Sequence, residues 1–388
     1  MNIYLDNSAT TKIRKEALEK YIQVSNNDYG NPSSLHAMGL SAEKELDAAR
    51  RAILSSIKDT QSKVVFTASG SEANNLAIIG RALSKERYRK GAKIITTDGE
   101  HASVSEPLEK LASLGFKIVK ISTRGGVIDY AQLEKELTPD VILVTMMMVN
   151  NETGALYDTR RVADMTKAFS PDAFIHIDAT QSYLKIPFTK KSTGADMITI
   201  SSHKIEGPKG VGALVIDPAV IKARGLAPII LGGGQEMGLR SGTENVPGIA
   251  AFGEAVKLGT AELPSHYEKL LSLYSHLTKK LDTDPSFADV SITRPKSFAP
   301  HILNITLPKI KSETMLHFLS AEGIFVSSGS ACSSNSSHVS SALIAYGKTK
   351  DEADSSIRIS LSPRNEQSDI DAFISALSRG IERLARKK

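Results

Sequence analysis

The sequence predicts an α/β fold: a large domain built on a mainly parallel sheet, joined to a smaller α+β domain. Two observations point to it. From about residue 64 to 217, short β-rich runs alternate with helical patterns, as parallel strands joined by crossover helices do. The β-rich runs are also nearly continuous in apolar residues, which suits strands buried on both faces. Beyond about residue 260 the alternation gives way to longer helices around fewer strands.

In chain order, residues 64–67 read as a strand and 71–83 as a helix. A strand over 93–97, a helix over 104–114 and a strand over 117–122 follow. The pattern continues through a helix over 130–137, a strand over 141–147, a helix over 162–169 and a strand over 174–178. Strands over 197–201 and 211–216 close it with short connections. An amphipathic stretch over 263–281 opens the smaller unit. A strand over 302–307, a helix over 313–322, a serine-rich loop over about 327–341, a strand over 357–361 and a helix from 368 complete it. The large domain is assigned to 15–260, and the small one to 1–14 with 261–388. No internal repeat is visible.

Composition narrows the function. Hydrophobic residues make up 41% of the 388 and charged residues 23%, the mix of a globular chain. The start, Met1 to Asp6, lacks the basic and apolar regions of a secretory leader. The longest apolar run, residues 141–149, is too short to cross a bilayer. A cytoplasmic chain without membrane partners is expected. The net charge of +5 comes from basic residues interleaved with acids, and only 383–388 form a basic cluster, which reads as a solvated helix end. No aromatic-and-basic stacking surface is present, so nucleic acid is not expected. A single cysteine allows no internal disulfide and no Cys-x-x-Cys metal site.

That cysteine, Cys332, stands in a stretch where nine of the fifteen residues from Ser327 to Ser341 are serine. Such a stretch has little apolar surface to bury and reads as an exposed, mobile loop. Free cysteines usually behave as small buried hydrophobes, so a thiol placed here is a candidate nucleophile.

Ligands of α/β sheets sit outside the carboxyl ends of the strands. One strand ends in Asp178-Ala179-Thr180-Gln181, and the next in Ser201-Ser202-His203-Lys204, followed by glycines at 207, 210 and 212. Asp178 could cap the next segment or serve a ligand. Lys204 could be a solvated charge or a desolvated amine of the type that forms Schiff bases. Gly70 and Ser71 open a helix after a strand, which is either an ordinary N-terminus or an anion cradle. Taken together, a phosphate cradle, a strand-end acid and a strand-end lysine supply what pyridoxal phosphate requires.

With these residues in place, the chain resembles the cysteine desulfurases, in the NifS/IscS-like branch of the class V aminotransferase superfamily. The resemblance runs nearly end to end, through Tyr4 to Thr11, Gly30 to His36, Glu100-His101, Val149 to Gly154, Asp178 to Ser182, Ser202-His203-Lys204, Arg240 to Thr243, Ser327 to Cys332 and Ser355 to Arg358. It implies the fold type I of pyridoxal-phosphate transferases, with a seven-stranded type of sheet. It implies that Lys204 carries the cofactor and moves the Cα proton, that Asp178 pairs with the ring nitrogen, and that His101 stacks on the ring and helps with proton transfer. Gln181 would bond the phenolic oxygen, and Gly70, Ser71, Ser201, Ser202 and His203 the phosphate. Thr243 would reach in from the partner of a homodimer. Asn151 and Arg358 match residues that hold the cofactor and the substrate carboxylate, for which a guanidinium fork is suited.

The implied reaction takes sulfur from L-cysteine, leaves alanine and loads a persulfide on Cys332 for an acceptor protein such as an iron–sulfur scaffold. A serine-rich tether lets the thiol visit both pocket and acceptor; His338 could help to ionise it. A selenocysteine lyase, a class V aminotransferase and a non-catalytic sulfur carrier are the alternatives. Three departures stand out: Glu206, where relatives often carry an aromatic, histidine or glycine; Gln235, where histidine is common; and extra serine beyond Cys332.

Overall fold

The computed structural model describes residues 2–85, 91–307, 309–328 and 340–385. Its largest element is a seven-stranded sheet in the order Lys63–Thr67, Gly212–Ile216, Met197–Ser201, Phe174–Asp178, Val141–Met147, Lys93–Thr97, Lys117–Ile121. The sheet is mixed, because Gly212–Ile216 runs antiparallel to both its neighbours while the other pairings are parallel. The reason lies in the connection: the chain turns back after Ser201 through a short segment carrying Lys204, and without a crossover helix it must reverse direction. Alternate residues feed two cores. Phe66, Ile95 and Val144 join one apolar cluster, and Val65, Ile94 and Leu143 join another across the sheet.

A second, antiparallel sheet runs Ser327–Ser328, Ser356–Ser360, Ile302–Thr306, Ser291–Ile292. It has its own core, in which Ile305, Ile357 and Ile359 meet Leu277, Met315 and Phe373. One helix, Val246–Thr283, serves both regions: Ala250 to Val256 pack on the first, and Leu270 to Leu281 on the second. It passes unbroken through residue 260, where the composition changes. The N-terminal segment also joins the two sheets. Ile3–Tyr4 pairs with Ile324–Phe325, Asp6 bridges to Ser360, and Thr11 N–H donates to the His203 carbonyl at 2.9 Å. Among the described residues no helix is long and apolar enough to cross a membrane, and no cluster of His, Cys, Asp and Glu suits a metal.

Candidate active site

Sheet register decides where the polar residues fall. Met147 pairs with Asp178, Asp178 with Thr199, and Ser201 with Gly212, so three strand ends share one edge of the sheet. A cavity of about 300 Å³ opens there, lined by Gly70, Ser71, His101, Asn151, Asp178, Gln181, Ser201, His203, Lys204 and Arg358, with Ser8, Ala9, Ser103 and Thr180.

Lys204 ends a single helical turn, Ser202–Lys204, directly after its strand. Its Nζ donates to the carbonyls of Ser8 at 2.6 Å and Ala9 at 2.7 Å. Gln181 Nε2 donates to the same Ser8 carbonyl at 2.9 Å. Asp178 is buried, yet its carboxylate accepts from Asn74 Nδ2 at 2.8 Å and the Thr180 N–H at 2.9 Å. Asn74 Nδ2 also donates to Ser103 Oγ at 2.8 Å, and Ser103 Oγ lies 2.9 Å from His101 Nδ1. Because His101 Nδ1 accepts the Ser103 N–H at 3.1 Å, the proton of the neutral ring belongs on Nε2. Burial lowers the His101 pKa, assisted by the Lys204 and Arg358 charges and opposed by Asp178. His203 is pushed down to about 4, first by burial and then by Lys204, Lys185 and Lys209, so at neutral pH it is uncharged.

One corner suits a phosphate. The helix Gly70–Leu83 starts there with its positive dipole end at the cavity. A Cβ on Gly70 would lie 3.2 Å from Ser201 Cβ and 3.3 Å from Thr180 Oγ1, within the space an anion would take. The Ser201 and Thr180 hydroxyls are buried without a hydrogen-bond partner, which is costly unless a ligand satisfies them. At the opposite side, Arg358 Nη2 donates to Asp6 Oδ1 at 2.8 Å and Nη1 to the Asn151 carbonyl at 3.0 Å, while its buried Nε has no partner. Two of the five guanidinium N–H groups are thus used, and Arg358 lines the cavity with donors left for an incoming carboxylate. The cavity thus joins an amine, an anion corner, a carboxylate for a cationic ring atom and a carboxylate receptor.

Residues 3–373 match the family Aminotransferase class-V. The chain belongs to that family, in its NifS/IscS-like branch. It is 36% identical over 384 residues to the cysteine desulfurase IscS of Dictyoglomus turgidum, covering 98% of this chain and 95% of that one. A solved NIFS-like protein superposes with a TM-score of 0.89 at 33% identity, covering 98% and 99% of the two chains. The structure of SspA in complex with cysteine superposes at 0.77 with 30% identity, covering 94% of this chain and all (100%) of the other.

Three of the site residues expected of this class-V chain lie off the cavity wall or beyond view. Ser202 is fully buried behind the wall, where a Cβ on Gly207 would lie 2.1 Å from its Oγ. Thr243 is exposed on the surface. Cys332, with His338, lies outside the described residues. Conversely, Asn74 and Ser103 were missed, although Asn74 shares a buried helix face with Ala73, Ala77 and Ile78, which is a readable signal. The resemblance at Glu100-His101 implies no role for Glu100. Its carboxyl accepts the Met147 N–H at 3.0 Å beneath the cavity, and burial raises its pKa to about 8.

Two departures find partners. Glu206 forms a two-pronged ion pair with Arg364, its Oε2 accepting from Nη2 at 2.8 Å. This is held despite a left-handed backbone at φ 63°, where glycine is at ease and glutamate is strained. Gln235 Oε1 accepts from the Gly242 N–H at 2.9 Å, bracing the turn next to Thr243.

Proposed function

We propose that this chain is a cysteine desulfurase that uses pyridoxal 5'-phosphate to remove sulfur from L-cysteine, leaving L-alanine and a persulfide on Cys332. The observation that carries the reading is one cavity in which a lysine just past a strand end, a buried strand-end carboxylate, unsatisfied hydroxyls around Gly70 and the Arg358 guanidinium converge. Relatives named cysteine desulfurase span nearly the whole chain.

The cofactor, when bound, supplies an electron sink that labilises bonds at the substrate Cα and beyond. Lys204 holds it and moves the Cα proton. Asp178 keeps the ring nitrogen protonated, its orientation fixed by Asn74 and Thr180. Gly70, Ser71, Ser201, His203 and Thr180 bind the phosphate, with Ser202 shaping the turn behind them. His101 would stack on the ring and help with proton transfer, and Gln181 Nε2 would turn from the Ser8 carbonyl to the phenolic oxygen. Arg358 and Asn151 receive the substrate carboxylate. The Cys332 thiolate then bonds to the substrate sulfur as the carbon–sulfur bond breaks. The electron pair passes to the carbon chain, which takes up a proton as alanine. The persulfide passes to an acceptor for iron–sulfur clusters or a related sulfur-containing cofactor, in the cytoplasm, where a lone thiol stays reduced.

The working unit is a homodimer in which Thr243 completes the partner's phosphate site. Exposed Leu231, Met237 and Thr243 on one compact segment support this. The test is to supply L-cysteine and a reductant and measure alanine and sulfide. Equal amounts are expected from the native chain. Cys332→Ala should lose sulfide and alanine together by about 100-fold or more, the scale of removing a catalytic group. Undiminished turnover in that variant would overturn the persulfide route.

A further inference from the structure

Cys332 is flanked by two described segments: one pairs with the backbone of Arg358, and the other bonds to Glu152, next to the Asn151 whose carbonyl accepts from the Arg358 guanidinium. On the N-terminal side, Ser327 pairs with Arg358 and Ser328 with Ile357. On the C-terminal side, Ser340 caps the helix Ser341–Tyr346, its Oγ accepting the Leu343 N–H at 3.1 Å. The same hydroxyl donates to Glu152 Oε2 at 2.5 Å. Glu152 directly follows Asn151, whose carbonyl accepts Arg358 Nη1 at 3.0 Å. Its N–H is tied back to Asn150 Oδ1 at 3.0 Å, so neither the carboxyl nor its backbone is loose.

No step of the reaction uses Glu152, yet its carboxyl is placed at a cost. Burial raises its pKa to about 7, against the lowering effects of the Ser340 hydroxyl and the Arg358 charge. Ser340 is itself buried, with both sides of its hydroxyl in use.

We propose that Glu152 is a positioning residue for sulfur transfer: through Ser340 it fixes the C-terminal end of the cysteine-bearing segment against the substrate-carboxylate site at Arg358. The reading rests on the desulfurase activity proposed above. Anchoring Ser340 near the substrate-carboxylate site raises the effective concentration of the Cys332 thiol there, and releasing Ser340 lowers it. The step affected is the one in which the Cys332 thiolate bonds to sulfur, the carbon–sulfur bond breaks and its electron pair ends on the carbon that becomes the alanine methyl. Removal of the Cα proton by Lys204 precedes it and does not involve the tether.

The experiment compares Ser340→Ala, Ser340→Thr and Glu152→Gln with the native chain in single-turnover mixing with L-cysteine. Two signals are followed: the visible absorbance change of the bound cofactor on substrate addition, and the persulfide on Cys332, trapped by alkylation and counted by mass. Ser340→Ala should leave the first rate unchanged and slow the second about 10-fold, Ser340→Thr should restore it, and Glu152→Gln should fall between. Amide exchange at Leu343 in the protein without substrate should quicken in Ser340→Ala, which reports the lost anchor independently of turnover. Persulfide formed at the native rate in Ser340→Ala, or both rates falling together, would overturn the proposal. A native chain that forms no persulfide at all would instead sink the desulfurase reading.

Discussion

At the scale of single residues, burial decides which ionisable groups carry charge. Glu100 is the clearest case. Its carboxyl accepts the Met147 N–H through both oxygens, and Thr97 Oγ1 donates to Oε1 at 2.5 Å. These bonds favour the ionised form, but burial outweighs them, and the Asp178 and Asp98 charges push the same way, to a pKa of about 8. A carboxyl with a folded pKa above its unfolded value binds its proton more tightly in the folded state. Its contribution to stability is therefore complete below the unfolded pKa, near about 4.3, and is lost as pH rises through the folded one. Glu100→Gln removes this titration. The fall of Tm between pH 5 and 8.5 should become shallower in the variant, by up to about 1.4 kcal/mol per pH unit in the free energy. An unchanged pH profile of Tm would show that Glu100 ionises freely. The same reasoning keeps His203 neutral, since its pKa of about 4 lies well below working pH.

At the scale of elements, the site depends on backbones that touch. Gly212 opens the antiparallel strand opposite both Thr67 and Ser201. A Cβ there would lie 2.5 Å from the Ser69 carbonyl carbon and 2.7 Å from the Gly70 nitrogen, against backbone that cannot rotate away. Gly212→Ala should cost about 1–3 kcal/mol, the range for overpacking, and should weaken cofactor retention because the displaced turn is the phosphate corner. Denaturant melts and cofactor titration would measure both; a stable variant that holds cofactor normally would mean the turn adapts. Much of this level was legible in the sequence. Asp178 ends one strand and Lys204 closely follows the next, both strands with unmistakable apolar runs, so their place on the ligand edge followed from the fold class. The reversed direction of Gly212–Ile216 was not legible, because strand patterning records burial and not direction. Nor was the whole of helix Val246–Thr283. Its first turns are buried nearly all round, from Val246 to Val256, so only the later, amphipathic half shows a helical period. The carbonyls of Ser8 and Ala9 that hold Lys204 left no trace, since backbone acceptors carry no side-chain signal.

At the scale of the whole molecule, the described surface still presents apolar groups that one copy leaves exposed. Leu231 is 80% exposed and Met237 53%. They lie on a segment closed upon itself, where Ile230 bridges to Arg240 and the Ser241 N–H donates to the Ile230 carbonyl at 3.2 Å. Glu72 accepts Arg240 Nε at 2.9 Å, which ties this segment to the first turn of the phosphate-corner helix. Such a braced apolar surface suits a self-complementary contact, as two-fold dimers use. A single copy also leaves Thr243 in solvent, away from its own cavity. If pairing places Thr243 in the partner's phosphate corner, assembly and cofactor binding are coupled, and each favours the other by the same factor. Leu231→Asp puts a charge into the contact. Light scattering should then show its mass falling from twice 41.8 kDa towards 41.8 kDa, with cofactor affinity lowered about 10-fold or more. Thr243→Ala separates the two effects: it should remain dimeric while losing affinity, because only the contact to the phosphate is removed. A dimeric Leu231→Asp chain would place the interface elsewhere, and native affinity in Thr243→Ala would leave the partner's site complete without it.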